Sequence, residues 1–290
     1  MIQDIFPHTL HNEYLPGQIP KADDIVFRFS GEKVLCRTCG LHVTFPRADE
    51  LCGDLSAGGL IYLFALDEKR FFLELQPAVN RRAAGQQTEE MLPDGFSFVP
   101  LSRLRKKEIA DKPLVFAAIT ARHLNDWYDA VRFCGRCAAP LIHSETERAM
   151  VCPVCGKTFY PRINPAVIIG VTNGDQLLMT KYAGRDMPFY ALVAGFTEIG
   201  ETLEETVQRE VMEEVGLTVT NIRYYKSQPW GYADDILAGF YCDVTGSPQI
   251  RMDENELKEA VWMDRADIPG QPDDFSLTNE MMMAFKAGLY

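Results

Sequence analysis

Two periods run along the 290 residues of this chain. From residue 25 to residue 101, apolar positions come in short runs divided by turn residues. IVFRF at 25–29 and VL at 34–35 flank Ser30-Gly31-Glu32-Lys33, which predicts a strand, a turn and a strand. LIYLFAL at 60–66 and FFLEL at 71–75 flank Asp67-Glu68-Lys69-Arg70 as a second hairpin, and GFSFVPL at 95–101 predicts one more strand. The spacing then lengthens to that of a helix over 114–131, where Leu124, Trp127, Tyr128 and Val131 share a face. Strand signals return at 165–172 and 176–181 around Asn173-Gly174-Asp175, a hairpin turn signal, and again at 190–194. Residues 202–214 hold no Gly or Pro and repeat Leu203, Val207 and Val211 every four positions, which predicts a helix with one apolar stripe. Strands are expected at 218–228, 239–244 and 259–263. A closing helix is expected over 274–289, where Met281, Met282, Phe285 and Leu289 read as core packing. The pattern predicts an α+β domain over 1–130, a short segment at 131–160, and an α/β sandwich with a mixed sheet over 161–290.

Composition narrows the class. The hydrophobic share of 47% and charged share of 24% are those of an ordinary soluble protein. No apolar run reaches the length of a membrane span, and MIQDIFPHTLHNEY at the start lacks the basic and apolar regions of a signal peptide. A net charge of −12 argues against tight, non-specific nucleic-acid binding, but leaves open a polyphosphate bridged by cations. Eight cysteines in such a chain point to a reducing compartment, with metal sites or free thiols rather than disulfides. A cytoplasmic protein without a membrane partner is expected.

The cysteines fall into two kinds of pattern. Cys134-x2-Cys137 and Cys152-x2-Cys155 can each wrap one side of a tetrahedral ion, so a structural Zn2+ with no open position is expected. LIH at 141–143 and AMV at 149–151 would pair as strands of a zinc ribbon. Cys36-x2-Cys39, with His42 and Cys52 nearby, lacks a companion pair and reads as ordinary thiols, with a second metal site as the alternative. The basic run Arg103-Leu104-Arg105-Lys106-Lys107 reads as a solvated helix start.

The sharpest chemistry lies at residues 195–217, GFTEIGETLEETVQREVMEEVGL. Glu210, Glu213 and Glu214 stand three and four apart, so their carboxylates share a helix face. Three like charges there repel unless a cation neutralises them, and Mg2+ binds through a few carboxylates plus substrate phosphate. Gly216 ends the helix where a left-handed residue is wanted, and Gly195 and Gly200 permit a tight loop before it. Gly195, Glu201, Arg209, Glu210, Glu213, Glu214 and Gly216 stand at the offsets of the Nudix box, which this stretch resembles at every defined position.

With the four-cysteine ribbon and Ser227-Gln228-Pro229-Trp230, the chain from about Cys134 onward resembles the NADH pyrophosphatase branch of the Nudix hydrolases. The first domain resembles it by arrangement only. The resemblance implies a Nudix α/β/α sandwich that cleaves the pyrophosphate of NAD(H) to nicotinamide mononucleotide and AMP, with NAD-capped RNA ends as a further substrate of some members. It implies a homodimer using Mg2+ or Mn2+. It also implies roles. Glu210, Glu213, Glu214 and Glu259 would hold metal, with Glu213 activating water. Phe196 and Tyr160 would stack on bases, and Gln228 would contact substrate. Arg209 would order the glutamates. Where the family continues Pro-Phe-Pro-x-Ser, this chain has Gly231-Tyr232-Ala233-Asp234-Asp235, so Asp235 replaces a substrate-contacting serine. ADP-ribose or another nucleoside diphosphate-X is the alternative substrate. A nucleotide-sensing or nucleic-acid-binding module is the alternative class, against which the intact acidic set stands.

Overall fold

The computed structural model describes residues 1–39, 42–51, 59–75, 92–105, 110–184 and 189–290. Cys52, Lys106 and Lys107 lie outside them. Contacts divide the chain into two compact units: Asp4–Arg162, and Ile163–Tyr290 together with Met1–Gln3. The segment read as a zinc ribbon, 131–160, falls within the first unit.

That unit holds β1 (Leu10–His11), β2 (Ile25–Ser30), β3 (Lys33–Cys39), β4 (His42–Thr44), α1 (Ala48–Leu51), β5 (Leu60–Leu66), β6 (Lys69–Glu74), β7 (Ser97–Pro100), α2 (Lys112–Ala130), β8 (Ile142–His143), β9 (Met150–Val151) and β10 (Thr158–Phe159). Among the described residues the main sheet runs β1-β5-β6-β2-β3-β4 with β7 beside β3. Its apolar runs face inward, and Phe27 stacks on Phe71 with ring centres 5.4 Å apart. Helix α2 starts with Pro in its first turn, where the missing N–H costs nothing, and buries Val115, Phe116, Ile119, Trp127 and Tyr128. Arg103 and Arg105 sit in a 3-10 turn ahead of it, Leu101–Arg105. Cys36 is fully buried, and burial pushes its thiol up to about 11. It is therefore neutral and unreactive at physiological pH.

The second unit holds β11 (Asn164–Asn173), β12 (Gln176–Tyr182), β13 (Val193–Phe196), α3 (Leu203–Val215), β14 (Thr218–Trp230), β15 (Asp235–Thr245), β16 (Leu257–Asp264) and α4 (Leu277–Lys286). The strand order is β14-β15-β11-β12-β16 with β13 beside β11. β11 and β15 run parallel, and the other pairs are antiparallel, so the sheet is mixed. Alternation along β11 decides the layers. Val167, Ile169 and Val171 pack with Val207, Val211 and Val215 of α3, while Ala166 and Ile168 pack with Leu277, Met281, Met282 and Phe285 of α4. One helix thus covers each face, giving the α/β/α sandwich that the resemblance implied. Each fully buried valine of α3 contributes about 1.5–3 kcal/mol, enough to seat the helix despite its charged outer face.

The edge strand β14 is irregular. Its pairing with β15 shifts between Thr220 and Arg223 and again between Tyr224 and Ser227, and Asn221 lies at φ 52 within the first shift. Residues at the start of the chain complete this unit: Ile2 is 1% exposed, and its N–H donates to the Phe275 carbonyl at 2.9 Å.

Candidate metal centres and active site

In the first unit the four ribbon thiols converge, with all Sγ atoms within 4.8 Å of one another. Cys134 and Cys155 Sγ are 3.6 Å apart, and Cys137 and Cys152 Sγ are 3.5 Å apart. A tetrahedral Zn2+ with Zn–S near 2.3 Å places its sulfurs about 3.8 Å apart, so the thiols fit that ion closely. Two matching turns build the site. In each, the first cysteine's carbonyl accepts an N–H four residues on, from Ala138 and from Gly156. Both of those residues are left-handed, at φ 60 and 73. The ribbon's strands run β10-β9-β8, so β10 adds a third strand to the two read from sequence. Among the described residues this is the only group of three or more Cys, His, Asp or Glu whose ligand atoms gather so closely, and Cys36, Cys39 and His42 form no such group.

In the second unit α3 is held at both ends. The Thr202 hydroxyl accepts from the Glu205 N–H at 3.2 Å while the Thr202 N–H donates to the Glu205 carboxylate at 2.8 Å, a reciprocal cap. Gly216 closes the helix at φ 67. The apolar stripe fixes the rotation of the helix, and that rotation carries Glu210 and Glu214 toward the sheet, 9% and 1% exposed.

Arg209 organises the carboxylates. Its Nε and Nη2 grip both Glu201 oxygens at 2.6 and 2.9 Å. Nη1 donates to Glu210 at 2.7 Å and to Glu213 at 2.9 Å, and Nη2 donates also to the Phe196 carbonyl at 2.8 Å. A guanidinium has five N–H groups, and all are used. Arg209 therefore has no donor left for a ligand. It holds the glutamates, and its grip brings the Glu201 carboxyl down to about 2.

Gly195, expected in a loop, lies in β13, paired with Val167, where that strand passes the helix. A Cβ there would lie 1.9 Å from Glu210 Cδ and 2.0 Å from its Oε1. The Glu210 carboxylate occupies the space a side chain would fill. Burial raises the Glu210 carboxyl, with Arg209 opposing. Glu214 is pushed up to about 8, first by burial and then by the charges of Glu210 and Glu256. Its Oε2 is buried with no hydrogen-bond partner. A buried carboxyl oxygen without a partner, in the field of two other carboxylates, is costly as protein alone. The donor set suits a hard divalent cation.

Glu256, which the sequence reading did not single out, acts on this cluster through its charge. It raises both Glu210 and Glu214, whereas Glu259, expected as the outer metal ligand, is otherwise engaged. Glu259 accepts from Lys181 Nζ at 2.7 Å and from the Tyr190 hydroxyl at 2.5 Å. The two glutamates are told apart by a bulge. The β12–β16 register shifts at Lys181/Tyr182, pairing Tyr182 with Leu257 and Lys181 with Glu259. Leu257 and Ala260 then pack on the α3 side, and Val261 and Met263 on the α4 side. By alternation Glu259 faces with Val261 and Met263, away from the acidic helix.

The other expected ligand contacts divide. Phe196 is 54% exposed at the end of β13, free to meet a flat ring. Tyr160, also exposed, belongs to the first unit, where its hydroxyl donates to Glu147 at 3.0 Å. Gln228 does not fit substrate contact. It is 0% exposed, its amide nitrogen donates to Gln3 at 3.0 Å and the Phe275 carbonyl at 2.7 Å, and its oxygen accepts from the Leu277 N–H at 2.7 Å. Its work is to join β14 to the start of α4. Asp235 is 6% exposed, paired in the sheet with Trp230 and Asn164. A carboxylate so placed presents little surface to a passing substrate.

Known proteins resemble this chain in its ribbon and its second unit. A family profile described as "NUDIX domain" matches residues 162–284, and one described as "NADH pyrophosphatase zinc ribbon domain" matches residues 130–160. A protein of Chromobacterium violaceum named NAD-capped RNA hydrolase NudC is 39% identical over 168 residues, covering 58% of this chain and 63% of the relative. One of the same name from Pectobacterium atrosepticum is 38% identical over 149 residues, covering 51% and 57%. The matched stretch thus spans less than two thirds of either relative's length. A solved structure of a NUDIX hydrolase from Nitrosomonas europaea aligns at 21% identity and TM-score 0.47, covering 54% of this chain and 90% of that one. Residues 162–284 are thus a Nudix domain, joined to a zinc ribbon of the NADH pyrophosphatase type at residues 130–160.

Proposed function

We propose that this chain hydrolyses the pyrophosphate of NAD(H), giving nicotinamide mononucleotide and AMP, and removes NAD from the 5′ end of capped RNA. The observation that carries the reaction is the buried Glu214 oxygen without a partner, set against Glu210 and Glu256. The names of the relatives support the substrate. Glu210, Glu214 and Glu256 would hold Mg2+ or Mn2+. Such a cation, when bound, supplies a water of lowered pKa and offsets charge on the phosphate oxygens. Glu213, whose side chain is 59% exposed, accepts the proton of the attacking water. The water oxygen bonds to one phosphorus, the bridging P–O bond breaks, and the freed phosphate leaves with its nucleoside. Arg209 keeps Glu210 and Glu213 in register, and the Phe196 ring stacks on a base of the substrate. Lys181 and Tyr190 hold Glu259 as part of the wall beside β13 rather than as a metal ligand.

The test is a product assay on the full chain with Mg2+ or Mn2+, across NADH, ADP-ribose and an NAD-capped RNA. NADH should give equal amounts of nicotinamide mononucleotide and AMP, and Glu256→Gln should lose at least 100-fold in kcat while Glu259→Gln loses far less. Preferential cleavage of ADP-ribose, or the reverse order of the two variants, would overturn the assignment. A homodimer in the cytoplasm completes the proposal, and light scattering on the purified protein decides the first part.

A further inference from the structure

Within the first unit, a pocket of about 230 Å³ opens between the segment at 14–18, the start of β5 and strand β8 of the ribbon. Three rings from these three elements line it: Tyr14, Tyr62 and His143. They are held in place from behind. The Tyr14 hydroxyl donates to the Ser144 carbonyl at 2.7 Å, tying the segment to the ribbon. Arg148 lies 5.5 Å over the Tyr14 ring while its Nη2 donates to the Leu63 carbonyl at 2.8 Å. Tyr62 packs edge-on against Phe72 at 5.5 Å, and His143 lies 5.2 Å from the Tyr128 ring. Among the described residues, neither the Tyr62 hydroxyl nor a His143 ring nitrogen has a hydrogen-bond partner. The surrounding protein pushes the His143 pKa down, so its neutral ring offers one donor and one acceptor.

The size of the pocket limits the ligand. Sites for drug-sized molecules begin at about 300 Å³, so this one takes a single ring system and not a whole dinucleotide. Ring faces with donor and acceptor groups at their edges are what a heteroaromatic base requires. We propose that the pocket binds one unpaired nucleobase, supplied by the RNA chain of a capped substrate. The assignment of RNA as the source rests on the function proposed above. It also reconciles RNA binding with a net charge of −12. Affinity drawn from stacking rather than from neutralised phosphates depends weakly on salt.

The experiment uses the full, zinc-loaded chain and a short, uncapped, single-stranded RNA with a fluorophore at its 3′ end, read by anisotropy. Base stacking on an aromatic side chain is worth about 5- to 100-fold in affinity. Tyr14→Ala and His143→Ala should each weaken binding by at least about five-fold, and Tyr14→Phe, which keeps the ring, should not. NADH hydrolysis and zinc content should be unchanged in all three, and the wild-type affinity should fall only slightly from 50 to 200 mM salt. Unaltered RNA affinity in Tyr14→Ala and His143→Ala, or no binding by the wild type, overturns the proposal. If AMP binds at these residues and RNA does not, the base pocket stands and RNA falls as its source. Wild-type protein that binds RNA but leaves NADH intact would overturn the catalytic reading while sparing the pocket.

Discussion

Replacing Gly195 by Ala tests the active-site geometry with one methyl group. The backbone there needs no left-handed conformation, so the effect is one of space. The new Cβ would lie 1.9 Å from Glu210 Cδ, and an ordinary contact begins at 3.4 Å, so the carboxylate must retreat by about 1.5 Å. It cannot do so alone. Glu210 is bonded to Arg209 at 2.7 Å, and Arg209 also holds Glu201, Glu213 and the Phe196 carbonyl. A misplacement of about 1 Å at a reacting centre costs about 100-fold in rate, so kcat on NADH should fall at least that far. Overpacking should cost about 1–3 kcal/mol of stability. The two effects can be separated. In a Glu210→Ala background the added methyl finds room, so Gly195→Ala should no longer destabilise, while activity stays lost. Turnover by product chromatography and unfolding in urea measure both. Gly195→Ala turning over NADH within three-fold of wild type would refute the placement of Glu210 against β13.

Cys152→Ser should release the zinc and lower the melting temperature, checked by metal analysis and calorimetry; full zinc with an unchanged melt would remove the ion from the ribbon. Gln228→Leu should cost about 1–3 kcal/mol by leaving the Leu277 N–H without a partner, the Phe275 carbonyl keeping the Ile2 N–H, with KM for NADH unchanged; a raised KM at full stability would restore it to the substrate site. The Arg223 guanidinium holds Asp243 at about 2, below the ordinary 3.8. Because the folded pKa is the lower, this stabilisation is present above about pH 4 and is lost as pH falls toward 2. The Asp243 side chain is 40% exposed, which trims the gain to about 1 kcal/mol. Asp243→Asn should therefore destabilise at pH 7 and converge with wild type near pH 2; a gap unchanged with pH would reject the ion pair as its source.

What was legible in sequence was local. Helix α3, its stripe and Gly216 follow from spacing alone, and so do the two cysteine turns, because each is built by residues within a few positions of one another. Gly195 was read as a loop glycine, but it lies in β13, and its closeness to Glu210 depends on how that strand packs against α3. The proposed choice of Glu256 over Glu259 was not open to sequence reasoning, because it rests on the bulge opposite Lys181, a property of paired strands. Gln228 was misread because the same residue type serves a ligand at a surface and a backbone in a core. Only the packing of Phe275 and Leu277 over β14 decides which. Strand β15 begins at Asp235, earlier than the expected 239–244, because its parallel pairing with β11 extends through the apolar Ile236, Leu237 and Ala238 to Asp235.

The irregular edge of β14 bears on how copies of this protein can meet. A straight outer strand invites a neighbour's strand to extend the sheet, the route to fibrous aggregation. Here two register shifts, a left-handed Asn221 and Pro229, which lacks an N–H, interrupt the row of donors and acceptors along that edge. Strand addition finds no long uninterrupted ladder to join. A homodimer built on this side would have to rely on side chains such as Tyr224, 57% exposed, rather than on a shared sheet. The kinks that twist the strand make this edge a poor template for fibrous growth.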